Sequence, residues 1–239
     1  LAYLTKKRFF YKWDFFVSEK TLIPRFETEI LVEKSVDYLM SLEKEKVVFL
    51  DMGTGSGNIA LSLLMDLQQK TNKKIICYLT DVSVDALDVA KKNYHYFVEK
   101  KMIKEGHEVF FIKHDALRQL SLENPLDLVV TNPPYIKRHA DRKSVHETVL
   151  LHEPSLALFL EDENYDNWFQ QLFSDFCLLV EDQKEAVMFL MEGHEDHLEG
   201  LQEMAVREKM KSVEVIQDFT QRNRFLQFFS KERRKTIDG

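Results

Sequence analysis

A chain of 239 residues, 44% hydrophobic and 12% aromatic, can bury one large core, and no apolar run approaches the ~18 residues of a membrane span. With 33 basic against 40 acidic residues and a net charge of −7, it lacks the excess of Lys and Arg by which dedicated nucleic-acid binders displace phosphate counterions. Cys77 and Cys177 stand far apart in apolar surroundings, as expected of buried thiols in a reducing compartment rather than of a disulfide.

No secretory signal opens the chain, so the expectation is a soluble, cytoplasmic protein. Leu1 stands where an initiator methionine would, as in a cut-down or processed chain. The one basic run is Lys231-Glu232-Arg233-Arg234-Lys235.

Residues 1–23 are aromatic and β-branched (Phe9-Phe10-Tyr11, then Trp13 to Val17) and read as a β-strand lead-in. After Pro24-Arg25-Phe26-Glu27-Thr28-Glu29, the spacing of Ile30, Leu31, Val32, Val36, Leu39 and Met40 predicts a helix, with Glu27 or Thr28 at its start. Val47 to Asp51 predicts a buried strand, followed by Met52-Gly53-Thr54-Gly55-Ser56-Gly57-Asn58 and a helix from Ile59 to about Leu67. Glycines at alternate positions between a strand and a helix let the backbone approach a ligand and aim its amides at it. The spacing is Gly-x-Gly-x-Gly, which departs from the dinucleotide fingerprint Gly-x-Gly-x-x-Gly.

Ile75 to Asp81 predicts a second strand ending in an acid. Asp81 is placed either to accept hydrogen bonds from a ribose diol or to cap the helix that continues through Ala86, Leu87, Ala90, Tyr94 and Phe97. A third strand, Val109 to Asp115, ends the same way; Asp115 either holds the amino group of a purine or caps Ala116-Leu117-Arg118. Asp127 to Val130 is a fourth buried strand, stopped by Asn132-Pro133-Pro134-Tyr135. Strand ends at Asp51, Asp81, Asp115 and Asn132 are expected to converge on one crevice, because ligands of open α/β sheets sit beyond the carboxyl ends of the strands.

Asn132 offers a side-chain carbonyl and Pro133 a main-chain one, a pair of acceptors suited to a planar NH2 group, and Tyr135 adds an aromatic face. The bland alternative is a strand-ending turn. Residues 136–151 carry few apolar anchors and predict a mobile flap. Tyr165 to Glu181 predicts a helix whose aromatic residues, Trp168 included, face the core, and Ala186 to Glu192 a strand. In Glu192-Gly193-His194-Glu195-Asp196-His197 the two histidines lack the His-Glu-x-x-His spacing, so a solvated helix start is expected rather than a metal site. Ser212 to Ile216 and Phe225 to Phe229 predict a closing strand pair.

Several of these stretches carry a resemblance. Leu22-Ile23-Pro24-Arg25-Phe26-Glu27-Thr28-Glu29, the glycine turn, Asn132-Pro133-Pro134-Tyr135-Ile136, His152-Glu153-Pro154 with Ala157-Leu158, and Asp218-Phe219 with Arg222 and Arg224 together resemble the PrmC/HemK family of S-adenosylmethionine-dependent protein-(glutamine-N5) methyltransferases. The resemblance implies an α/β, class I, Rossmann-like methyltransferase with a mostly parallel sheet, helices on both faces and an antiparallel C-terminal strand pair. It implies S-adenosylmethionine as cofactor and S-adenosylhomocysteine as product. Gly53, Thr54, Gly55, Ser56 and Gly57 would wrap the methionine part, Asp81 would hold the ribose, and Asp115 with Ala116 would lie near adenine.

Asn132, Pro133, Pro134 and Tyr135 would grip the acceptor glutamine, with Arg25 and Thr28 beside the same pocket. The implied substrate is a protein, foremost the Gly-Gly-Gln motif of class I peptide chain release factors, with a ribosomal protein as the family's alternative. An adenine-amino DNA or RNA methyltransferase is the rival reading of Asn-Pro-Pro-Tyr. It calls for a basic channel and a target-recognition region, and neither is evident in this acidic chain.

The expected organisation is a lead-in and helix over residues 1–40 packed on a methyltransferase domain over 41–239, without the helical N-terminal domain usual in the family. Phe26 stands where Pro-Arg-Pro is common. Glu161-Asp162-Glu163-Asn164-Tyr165 replaces an expected glycine.

Overall fold

The computed structural model describes residues 2–233, so Leu1 and the Arg234-Lys235 part of the basic run lie outside the described residues. In chain order the elements are α1 (Ala2–Thr5), β1 (Lys7–Phe10), β2 (Trp13–Phe16), α2 (Glu29–Ser41), β3 (Lys46–Met52), α3 (Asn58–Lys70), β4 (Lys74–Asp81), α4 (Val84–Glu99), β5 (Glu108–Lys113) and β6 (Leu128–Thr131). Next come β7 (Ile136–Lys137), α5 (Glu147–His152), α6 (Ser155–Leu158), β8 (Phe159–Leu160), α7 (Tyr165–Leu179), β9 (Met188–Glu192), α8 (Leu198–Arg207), β10 (Lys211–Gln217) and β11 (Asn223–Phe229).

Seven strands form one sheet in the order β10-β11-β9-β6-β3-β4-β5. The five from β9 to β5 are parallel, while β11 runs antiparallel to β9 and β10 antiparallel to β11. The chain winds outward from β3 in both directions, to β4 and β5 on one side and to β6 and β9 on the other. That places a topological switch between β3 and β6, where such sheets open a crevice.

Alternation along β3 explains the two layers. Val47 and Phe49 join a core cluster with α2, α3, α4 and the N-terminal hairpin. Val48, Leu50 and Met52 join a second cluster with α7 and α8 on the other face. Strands covered on both faces need apolar side chains at every position, which is why β3, β4 and β6 were legible as continuous apolar runs.

The lead-in is a hairpin, β1 paired with β2 from Lys7↔Phe16 to Phe10↔Trp13, preceded by a short helix that the sequence reading did not foresee. Phe15 is fully buried and meets Phe97 of α4 edge to face at 5.1 Å. The side chain of Asn93, also fully buried, bonds both main-chain groups of Phe16 (2.7 and 2.9 Å) and donates to the Ser56 carbonyl at 2.8 Å. One asparagine therefore ties the hairpin to the glycine turn. Among the described residues no helix is long and apolar enough to cross a membrane.

Candidate active site

A cavity of about 390 Å³ opens beyond the carboxyl ends of the parallel strands. That is within the usual range for small-molecule pockets. Its floor is the turn Met52 to Ser56 after β3, Asp81 after β4, Asp115 and Ala116 after β5, and Asn132, Pro133 and Pro134 after β6. Pro24, Arg25 and Thr28 close one side; Pro154, Leu156, Ala157 and Trp168 close another.

The turn after β3 is shaped by its glycines: Gly53 and Gly55 sit at φ +70° and +55°, conformations that side chains bearing a Cβ rarely adopt. A Cβ at either would meet nothing within 4 Å, so the turn presents bare backbone to open space. Gly57 (φ +78°) has a different reason, since a Cβ there would lie 3.2 Å from Ala90 of α4. The turn is clamped from outside, with Thr54 N donating to the Thr80 carbonyl at 2.9 Å and Gly55 N to Asp81 Oδ2 at 2.9 Å.

Asp81 Oδ1 also accepts from Ser83 N at 2.9 Å. Burial raises the Asp81 carboxyl above the ordinary carboxylate range, against the pull of these amides. Asp81 lines the cavity and braces both the turn and Ser83; the cap of α4 is Ser83, whose side chain accepts from Ala86 N.

Asp51 was expected at the crevice. The structure corrects this: Asp51 is fully buried beneath the turn, where its Oδ2 accepts from Thr54 Oγ1 (2.7 Å) and Ala60 N (3.1 Å). It shapes the turn without lining the cavity.

The corner after β6 is fixed to the same turn, because Thr131 Oγ1 donates to the Met52 carbonyl at 2.8 Å. Behind the corner stands Glu192, the last residue of β9 and only 1% exposed. Its Oε2 accepts from Thr28 Oγ1 at 2.6 Å and Asn132 Nδ2 at 3.1 Å, and its Oε1 from the Tyr135 hydroxyl at 2.9 Å. Burial raises the Glu192 carboxyl, countered by the Thr28 and Tyr135 hydrogen bonds and by the charge of Arg224. Asn132 Oδ1, on the other end of the amide, is buried and has no hydrogen-bond partner among the described residues. A buried acceptor in that state is costly unless something donates to it.

The cavity therefore gathers Arg25, Thr28, Gly53, Thr54, Gly55, Ser56, Asp81, Asp115, Ala116, Asn132, Pro133 and Pro134. It does not gather Gly57, which starts α3, or Tyr135, whose hydroxyl is turned to Glu192. Tyr135 braces the corner instead of offering the expected stacking face. Thr28 precedes α2 but makes no side-chain cap; its hydroxyl goes to Glu192.

Sequence reasoning missed Glu192, Glu153 and Trp168. Trp168 packs half-buried against the core, as expected, and also lines the cavity, which was not expected. The one signal for Glu192 in the sequence is that β9, like β4, ends in an acid; that β9 lies next to β6 is visible only in the sheet.

The first part of the expected flap, residues 136–141, is instead tied down. β7 pairs with β8, and the main-chain amides of His139 and Ala140 donate to Asp162 at 2.8 and 2.9 Å. His197 Nε2 lies 2.8 Å from Asp141 Oδ2. His194 and His197 do stand at a helix start, His197 being the residue just before α8, but they are half-buried rather than solvated, with side chains 15% and 18% exposed. Asp141, His194 and His197 are the one set among the described residues whose ligand-type atoms, all within 4.8 Å of one another, could hold a metal ion.

Residues 28–157 match the Methyltransferase small domain family. The chain is 36% identical over 165 residues to the release factor glutamine methyltransferase of Flavobacterium psychrophilum, covering 69% of this chain and 53% of that protein. It is 32% identical over 232 residues to the release factor glutamine methyltransferase of Bacillus anthracis, covering 95% of this chain and 75% of that one. Against the first two curated relatives it matches, the chain spans about half their length. In fold it is similar to a methyltransferase from Pyrococcus furiosus, with a TM-score of 0.55 at 15% identity, covering 92% of this chain and 89% of the other.

The five parallel strands, the antiparallel closing pair and the glycine turn define a class I, S-adenosylmethionine-dependent methyltransferase fold. Within that class, the chain belongs to the release factor glutamine methyltransferase family.

Proposed function

We propose that this protein transfers a methyl group from S-adenosylmethionine to the side-chain amide nitrogen of a protein glutamine, its substrate being the Gly-Gly-Gln motif of class I peptide chain release factors, in the cytoplasm. The observation that carries the reading is Asn132. Its NH2 end donates to Glu192 and Thr28, and its carbonyl oxygen is buried without a partner in a residue that lines the cavity. A carboxamide acceptor, with two hydrogens to donate, suits a site that supplies the Asn132 and Pro133 carbonyls.

The residues present fit the cofactor. Gly53 and Gly55 leave backbone open to the cavity, and Asp81 is a half-buried acceptor at its edge. Gly53 to Ser56 would hold the methionine part, Asp81 the ribose, and Asp115 with Ala116 the adenine. When bound, the sulfonium supplies an electrophilic methyl group.

An amide nitrogen is a weak nucleophile, because its lone pair is delocalised into the carbonyl. Asn132 Oδ1 and the Pro133 carbonyl accept both amide hydrogens, orient the nitrogen and stabilise the positive charge that develops on it. This nitrogen would take the methyl group of the bound sulfonium, the carbon–sulfur bond breaking as the nitrogen–carbon bond forms, and the extra proton would leave to water, so that no strong base is needed. Residues 1–40 would form a lead-in and helix packed on a methyltransferase domain over 41–239; the packing is supported by the hairpin's place in the same core cluster as α3 and α4.

The test is transfer from labelled S-adenosylmethionine to a release factor, with duplex DNA alongside. Label in the release factor that disappears when its Gly-Gly-Gln glutamine is replaced is the expected result. Label in DNA alone, or in neither, would overturn the assignment.

A further inference from the structure

The two ends of an asparagine amide have nearly the same shape, so the corner works as an acceptor only if something forbids the amide to turn over. Asn132 Nδ2 lies 3.1 Å from Glu192 Oε2 and 3.3 Å from Thr28 Oγ1. The Thr28 hydroxyl hydrogen is itself spent on Glu192, at 2.6 Å, which leaves the Thr28 oxygen free to accept. The two acceptors lie 2.6 Å apart, so both stand behind the same edge of the Asn132 NH2 group and share its donor. Turning the amide over would press Oδ1 against a carboxylate oxygen and a hydroxyl oxygen, in a place where Glu192 is 1% and Thr28 2% exposed. Tyr135 donates to the other carboxylate oxygen, so Glu192 is held at both oxygens.

We infer that Glu192 is a positioning residue that locks the Asn132 carbonyl toward the acceptor, and that this lock makes the site selective for a carboxamide over a carboxylate. This rests on the glutamine-methylating reading and deepens it. A glutamate side chain would offer lone pairs to the two carbonyls and bring a second negative charge towards Glu192. A glutamine offers two hydrogens.

The test uses the full chain with Glu192→Gln, and Thr28→Val as a second variant that leaves the carboxylate in place. Expected for E192Q is a fall in kcat of about tenfold or more, within reach of the 10²–10³ seen when a preorganised polar group is lost. The affinity for S-adenosylhomocysteine should be unchanged, because the glycine turn and Asp81 are untouched. Wild type should favour a glutamine-bearing release factor over the same protein with glutamate at that position, and E192Q should narrow that ratio. T28V should lie between wild type and E192Q.

A readout independent of activity is the ¹⁵N signal of the Asn132 side-chain NH2, assigned by its loss in N132A. In wild type it should be protected from solvent exchange, and in E192Q that protection should fall. An unchanged kcat, an unchanged NH2 signal, or a kcat lost in step with cofactor-product binding would each overturn the positioning role. A protected NH2 in a wild-type protein that labels no glutamine would instead fault the proposed reaction, so the two failures are distinguishable.

Discussion

Arg25 Nη2 lies 2.6 Å from Glu153 Oε1, joining two segments 128 residues apart in the chain. The second oxygen of Glu153 accepts from Ile23 N at 3.2 Å. Glu153 is almost wholly buried while Arg25 keeps about a third of its side chain in solvent. The pair holds Pro24, Arg25 and Thr28 on one side of the cavity against Pro154, Leu156 and Ala157 on the other.

Glu153→Ala would leave a guanidinium and a main-chain N–H without their acceptor. The expected result is a several-fold to about tenfold rise in Kd for S-adenosylhomocysteine, a tenfold change being 1.4 kcal/mol. Calorimetric titration checks it, and an unchanged Kd would show that the two walls hold their places without the pair.

Asp81 serves two ends at once, accepting Gly55 N from the turn and Ser83 N at the start of α4. If it also holds the cofactor's ribose, Asp81→Ala should weaken S-adenosylhomocysteine binding by about tenfold or more. Were Asp81 only a brace for the capping residue Ser83, the variant would lower stability by the ~1 kcal/mol typical of a lost hydrogen bond and leave affinity alone.

Asp51 makes stability depend on pH in a direction opposite to that of most carboxylates. Burial pushes its carboxyl up to about 7, against the hydrogen bonds of Thr54 and Ala60 and with some help from the charge of Asp81. A folded-state pKa above the ordinary 3.8 means that the folded protein keeps a proton which the unfolded chain releases between about pH 4 and 7. The contribution of this group is therefore fully present below about pH 4, declines as pH rises to 7, and is flat above. Urea unfolding at several pH values, for wild type and Asp51→Asn, should show a difference that shifts towards the variant as pH rises from 5 to 7. A pH-independent difference would contradict it.

The sheet was legible for a physical reason. β3, β4 and β6 are covered on both faces, so their whole length is apolar, and their ends carry residues that a core would not choose. The glycine turn and the Asn132 corner were legible because they are local: each is a strand and the bend that ends it, contiguous in the chain. Long-range relations could not be read. Glu192 meets Thr28 across 164 residues and Asn132 across 60, and neither relation leaves a periodicity in the chain.

The two histidines just beyond Glu192 drew attention to metal spacing, whereas the partner of His197 is Asp141, on the segment expected to be a flap. Asp51 and Tyr135 failed as cavity residues for one reason. The residue types that suit a ligand also suit a buried brace, and only the direction of the side chain decides between them.

The central claim is that the carbonyl of Asn132 receives the acceptor amide. It is tested most directly by single-turnover methyl transfer to a release factor bearing Gly-Gly-Gln, comparing wild type with Asn132→Ala at saturating S-adenosylmethionine. The account predicts a rate lowered by ~10²-fold or more, on the scale of one lost preorganised polar group, with S-adenosylhomocysteine affinity retained. A variant that transfers methyl at the wild-type rate would contradict it.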